Sequence, residues 1–191
     1  MTPHHSGIAT VFLPNGKTAP RVRPPWYGYL LFQAAVQPKA AEKAKLGPTR
    51  ASSSSPGYVA TVTSAAGTTA CRNGEVKVWP VLHEAVGGKK ELRVVVLHKG
   101  EDKDCDLVIN LSERFRDAVV TRVTPQGSPG GLAAEEVTFG GMSYQDLQPE
   151  ISGALQSETV TVRSGEAAGA ASSVMFRMPK ASAALLVAAS V

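Results

Sequence analysis

The sequence predicts a mainly β fold: an antiparallel sandwich of about eight or nine strands, preceded by one apolar helix. Three observations carry this. From Tyr58 onward apolar and polar residues alternate with period two, as in strands with one face buried. Gly, Pro and Asn turn signatures recur between these runs at the short spacing of all-β domains. Only one stretch, Trp26 to Val36, reads as helix, and it directly follows Pro24-Pro25.

In chain order, residues 1–23 read as loop, with a short apolar piece from Ile8 to Leu13 and a turn signature at Pro14-Asn15-Gly16-Lys17. The helix follows over about 26–36. Residues 47–57, Gly-Pro-Thr-Arg-Ala-Ser-Ser-Ser-Ser-Pro-Gly, read as a flexible surface loop. The strands are then expected over 58–63, 75–82, 92–98, 105–111, 118–124, 137–139, 159–163, 174–178 and 183–187. Arg72-Asn73-Gly74 opens the second of these, and Gly87-Gly88-Lys89-Lys90 turns into the third. The expected inward positions are Val76, Val78, Val94, Val96, Leu107, Ile109, Val119, Val123, Val160, Val162, Phe176 and Leu185, enough for a core.

The helix sets a further expectation. Its run Trp-Tyr-Gly-Tyr-Leu-Leu-Phe-Gln-Ala-Ala-Val is apolar on every face, and such a helix must be covered all round. One sheet covers one side, so Trp26, Tyr29, Leu30 and Phe32 are expected to pack on a body other than the sandwich.

Bulk properties narrow the function classes. A chain of 191 residues suits one domain, and 43% hydrophobic with 19% charged residues is ordinary for a folded protein. The net charge of +4 is not gathered into a basic stripe interleaved with aromatics, which argues against a nucleic-acid partner. No apolar run approaches the ~20 residues that span a bilayer. The start, Met-Thr-Pro-His-His, lacks a signal-peptide pattern, so a gene beginning there is expected to give a cytosolic product. Cys71 and Cys105 are too few for a disulfide framework or a metal site. Two thiols are the expected state; a single bridge between neighbouring strands is the alternative and requires an oxidising compartment.

No active site is legible, and no catalytic, cofactor-binding or metal-ligating residue is assigned. His4-His5 has no third ligand at metal spacing. His83 and His98 lie near strand ends without a readable nucleophile and orienting acid beside them. Ser52 to Ser55 is low complexity, and Gly127-Ser128-Pro129-Gly130-Gly131 lacks the Lys-Ser/Thr ending of a phosphate loop. Glu101-Asp102-Lys103-Asp104 has too few donors for a calcium loop, and Glu135-Glu136 point to opposite faces of a strand. Trp79, Tyr58 and Tyr144 are candidate sugar-contact residues, because aromatic rings stack on sugars, although aromatics in a sandwich more often fill core or rim.

Four landmarks, in order, resemble the C-terminal end of glycoside hydrolase family 79, the group of β-glucuronidases and heparanase-like enzymes. Val22-Arg23-Pro24-Pro25-Trp26-Tyr27-Gly28-Tyr29-Leu30-Leu31-Phe32-Gln33 is similar to the family's Arg-Pro-x-Tyr-Tyr-Gly-x-Leu-Leu-Phe stretch. Glu91 to Gly100 is similar to a strand that usually ends in Asn-Lys, here His98-Lys99. Val137-Thr138-Phe139-Gly140-Gly141-Met142-Ser143 resembles a Val-Thr-Leu-Gly-Gly segment, and Phe176 to Leu186 resembles a closing strand of the type Val-Pro-x-x-Ser-Ala-Ala-Leu. The resemblance implies that 1–46 is the end of a (β/α)8 barrel, with the helix as its last, and that 58–191 is the sandwich supporting that barrel. The family hydrolyses glycosides with retention, using two glutamates upstream of this helix. Neither glutamate can be carried over to this chain. The implied role is therefore a non-catalytic module whose partner is the barrel; a carbohydrate-binding sandwich acting alone is the alternative. Members of the family are commonly secreted or lysosomal.

Overall fold

The computed structural model describes residues 8–12, 18–22, 24–36, 50–52, 60–64, 71–72, 74–84, 89–126, 136–144, 151–164 and 170–190. It is an antiparallel β-sandwich with one helix. The chain runs β1 (Ile8–Phe12), β2 (Thr18–Val22), α1 (Pro24–Val36), β3 (Arg50–Ser52), β4 (Ala60–Ser64), β5 (Val76–Glu84), β6 (Lys90–His98), β7 (Cys105–Leu111) and β8 (Phe115–Gln126). It continues through β9 (Glu136–Phe139), β10 (Ser143–Tyr144), β11 (Ile151–Ser152), β12 (Glu158–Val160), β13 (Val162–Ser164), β14 (Ser172–Met178) and β15 (Ser182–Ser190).

The larger sheet has seven strands in the order β12-β8-β15-β6-β5-β3, with β9 also pairing β8. The smaller has four in the order β13-β14-β7-β4. Between them lies the main core: Leu92, Val94 and Val96 of β6, Ala184, Leu186 and Ala188 of β15, Leu107, Ile109 and Leu111 of β7, and Val174, Phe176 and Met178 of β14. In β14 the alternation is complete, buried residues taking every second place.

Helix α1 lies on the outer face of the larger sheet. A second apolar cluster holds it there: Leu31 and Ala35 pack on Leu185, with Val95, Val123, Phe139, Ala183 and Val187 around them. Strand β15 is therefore covered twice, by the smaller sheet on the Leu186 side and by the helix on the Leu185 side. That is why its sequence, Ser-Ala-Ala-Leu-Leu-Val-Ala-Ala-Ser, is apolar almost without alternation.

Several sequence expectations need correction. The stretch read as loop over 1–23 contains a hairpin, β1 against β2, with Ile8 opposite Val22. Within the supposed loop 47–57, Arg50–Ser52 adds an edge strand to β5. The single strand expected over 159–163 is two: β12 joins the larger sheet and β13 the smaller, so the chain changes sheets at Thr161. Of the expected inward residues, Leu185 and Val123 face the helix instead of the sandwich interior, and Val119 is exposed. Ala118 and Val120 take the inner places on β8. Period two names two faces but not which is inside, and here both are apolar.

The two cysteines are bridged, not free. Cys71, just before β5, joins Cys105, the first residue of β7, and so ties the lead-in to the larger sheet to the smaller one. The bridge does not join neighbouring strands of one sheet, and the pairing is invisible in sequence because the 34-residue separation carries no geometry.

Candidate functional site

The helix dock is where most of the specific chemistry converges. Helix α1 carries no acidic residue in its first turn and no basic residue in its last. Its C-terminal carbonyls, which have no partners within the helix, need donors from elsewhere. The sheet supplies both. Arg93 Nη1 donates to the Ala34 carbonyl at 2.5 Å, and His83 Nε2 donates to the Ala35 carbonyl at 2.8 Å. Arg93 is itself fixed by the Glu91 carboxylate, which accepts from Nε and Nη2, each at 2.5 Å. A guanidinium at this end also opposes the negative pole of the helix dipole.

At the other end Tyr27 is buried. Its ring meets Tyr144 of β10 edge to face, with centroids 5.9 Å apart, and its hydroxyl accepts from the Tyr144 N–H at 3.0 Å. Burial pushes the Tyr27 hydroxyl above its ordinary pKa of 10.0; the N–H bond from Tyr144 pulls the other way, and the charge of the Tyr144 phenolate adds to the rise. The sign follows. A raised folded pKa means that the neutral form is held in the fold. Its stabilisation is full below about pH 10 and is lost as pH rises through the folded value. An alkaline stability titration should therefore show Tyr27→Phe losing less than the wild type above that pH, while at neutral pH it costs about 1 kcal/mol for one hydrogen bond. Parallel alkaline profiles would remove Tyr27 as the cause.

The residues singled out in the sequence fall on both sides of the helix. Tyr29 and Phe32 point away from the sheet, 64% and 61% exposed, whereas Trp26 and Leu30 are half-buried. Trp26 meets Tyr29 edge to face at 6.2 Å, and its Nε1 is buried without an acceptor among the described residues. The residues that hold the helix, Tyr27, Leu31 and Ala35, were not singled out, since an all-apolar run does not mark its own inner face.

Of the aromatic trio, Trp79 is 51% exposed on the outer face of β5; its register opposite Val95 puts it on the helix-bearing side of the sheet. Tyr144 is engaged with Tyr27, and Tyr58 lies outside the described residues, as do His4, His5, the Gly127–Gly131 segment and Glu135.

Away from the helix dock lie a cleft, a charged turn and a buried polar cluster. A cleft of about 420 Å³ opens beside β8, β9 and the 140–141 turn, lined by Arg122, Thr124, Gln126, Thr138, Gln156 and Glu158 among others. Its groups are spent on one another: Arg122 pairs with Glu158 and donates to the Arg177 carbonyl, and Thr124 bonds Thr138. Glu158 is its single carboxylate among the described residues. The turn at 101–104 is spent likewise, Asp102 on Arg72 and Asp104 on Arg177. Among the described residues no group of three His, Cys, Asp or Glu could hold a metal ion.

The second polar cluster is buried. His98, fully enclosed, stands beside the Cys105 sulfur and the Glu75 carboxylate. Sulfur, imidazole and carboxylate do not form a hydrolytic triad here: the sulfur rests against the ring, 3.5 Å from Nε2 and 3.8 Å from Nδ1, the carboxylate lies on the same Nε2 side, and Nδ1 is bonded to the Pro179 carbonyl instead of an orienting acid.

No protein-family model and no curated protein matches the chain. Among solved structures it is similar to a 4-O-α-L-rhamnosyl-β-D-glucuronidase from Fusarium oxysporum 12S, crystallised as a Rha-GlcA complex, with 14% identity and a TM-score of 0.38. The match covers 58% of this chain and 25% of that one, so it spans a quarter of the length of that enzyme.

Proposed function

We propose that the chain is a non-catalytic β-sandwich module of a β-glucuronidase-like glycoside hydrolase of family 79, built to support a catalytic barrel that this chain does not contain. The observation that carries this reading is the two-sided helix. Its inner face is anchored to the sheet by Leu31, Ala35, Arg93 and His83, and its outer face offers Tyr29 and Phe32. The ordered landmarks from Arg23 to Leu186 support it from the sequence side. Burying one such aromatic is worth about 1.5–3 kcal/mol, so a partner covering both gains substantially.

The purified chain is expected to show no turnover of aryl glucuronides; measurable turnover would overturn the reading. It should also bind a dye specific for exposed apolar surface or self-associate. The double substitution Tyr29→Ser, Phe32→Ser should suppress this with little change in the melting temperature. A monomer that leaves the dye dark would contradict the docking role.

Trp79 favours the second reading, a stand-alone carbohydrate-binding module. That reading expects retention on a polysaccharide column and its loss in Trp79→Ala. Under the leading reading both proteins elute without retention.

A further inference from the structure

We infer that the Cys71–Cys105 pair is a thiol-exchange site: small thiols open it at Cys71, and His98 receives the Cys105 sulfur released behind it. This is independent of the glycosidase reading. It rests on how the two sulfurs are housed.

The Pro179 carbonyl accepts from His98 Nδ1 at 2.9 Å, and a carbonyl cannot donate. Nδ1 therefore carries a proton, and in the neutral ring Nε2 is the acceptor. Nε2 lies 3.5 Å from Cys105 Sγ and 3.9 Å from Glu75 Oε2; the same sulfur is 3.8 Å from Nδ1, so it rests against the ring with Nε2 as its nearer nitrogen. A bridged sulfur has no proton to offer that nitrogen; a Cys105 thiol does. Cys71 is provided for in the same way, since its Sγ is 3.5 Å from the Asp106 carbonyl, which would accept from a Cys71 thiol. Both sulfurs of the reduced pair thus find acceptors already in place. Gly100 leaves room for this arrangement. A Cβ there would lie 2.7 Å from His98 Nε2 and 2.9 Å from Glu75 Oε2, so any larger residue would press on the imidazole beside the sulfur.

Both cysteines are buried, Cys71 less completely at 6% against 1%, and attack at Cys71 is the direction that leaves Cys105, the sulfur beside the imidazole, as the leaving group. An incoming thiolate bonds to Cys71 Sγ, the Cys71–Cys105 bond breaks, and its electron pair stays on Cys105 Sγ, which takes a proton through His98. A second thiolate attacks the reagent's sulfur in the mixed disulfide and releases Cys71. In sum, two thiols become one disulfide, while two electrons and two protons pass to the cysteine pair. The leaving sulfur is the one next to the imidazole, and a stabilised leaving thiolate speeds exchange.

The test treats the folded chain at pH 7 with 2-mercaptoethanol, maps the first mixed disulfide, and then equilibrates the chain in reduced and oxidised dithiothreitol. The adduct is expected on Cys71. His98→Gln, whose amide can still donate to Pro179, should lower the equilibrium constant for reduction about tenfold, or ~30 mV. In the wild type the His98 Nε2 resonance should move on reduction while those of His83 stay. The inference is overturned by an adduct on Cys105, by equilibria within twofold of each other, or by thiols that appear only as the chain unfolds. Should His98→Gln fail to fold, the wild-type spectrum decides alone: an Nε2 resonance unmoved in the reduced, folded chain overturns it.

Discussion

Arg93→Ala is expected to release helix α1 from the sheet and to destabilise the chain by about 2–4 kcal/mol. A hydrogen bond from a charged donor is worth about 1.5–3 kcal/mol, and removing one member of an enclosed ion pair costs more than the pair contributes. Both apply here. The guanidinium is almost fully buried, it holds the Ala34 carbonyl, and it neutralises Glu91. Its loss leaves a carbonyl at the negative end of the helix without its donor and a carboxylate without its cation. Arg93→Lys separates charge from geometry, because an ammonium keeps the charge but cannot serve Ala34 and Glu91 through one rigid fork; an intermediate loss is expected. Hydrogen exchange of the helix amides and a denaturant melt report the two effects. Unchanged protection over 30–36 in Arg93→Ala would show that apolar packing alone fixes the helix.

The same contact shows what the sequence could tell about this site. The helix is legible because Pro24-Pro25 precedes an apolar run that has no strand-like alternation. Its C-terminal donors are not, since they lie 48 and 59 residues away on strands whose pairing decides where the side chains arrive. Arg93 and His83 are set in period-two stretches where an odd-numbered position could equally face solvent. They point to the helix only because β15 and β5 flank β6 and make its outer face the floor of the dock. Of the four helix residues expected to pack away from the sandwich, Tyr29 and Phe32 are exposed and Trp26 and Leu30 half-buried, while the sheet takes Leu31 and Ala35, which no period in an all-apolar run could name.

The strands were legible wherever one face is wet. β14 alternates throughout and β7 as far as Ile109, after which Asn110 is buried too, and the expected inner residues Leu107, Ile109 and Phe176 are buried. Phase failed on β8 and β15, whose two faces both carry apolar residues; on β15 the second face lies under the helix. The hairpin over Ile8–Val22 and the edge strand Arg50–Ser52 were missed for another reason: they are short, and their residues include Pro20 and serines that read as loop.

Removing the bridge should cost the chain more than any single contact just described. The closed loop runs from Cys71 to Cys105 and contains the whole β5–β6 hairpin. For a loop of about 35 residues, the chain-entropy relation gives about 4 kcal/mol of stabilisation, exerted on the unfolded state. The double substitution Cys71→Ala, Cys105→Ala is therefore expected to lower the melting temperature by roughly 10 °C, at about 2–4 °C per kcal/mol for a chain of this size. A loss below about 1 kcal/mol would mean that the bridge closes a loop already closed by strand pairing in the unfolded ensemble. Reduction of the wild type opens the same loop but keeps both sulfurs, and with them the acceptors at Asp106 and His98. The reduced chain should therefore melt above the double alanine variant. The gap between them measures the thiol contacts separately from the loop, and a gap of zero would leave chain entropy as the bridge's whole contribution.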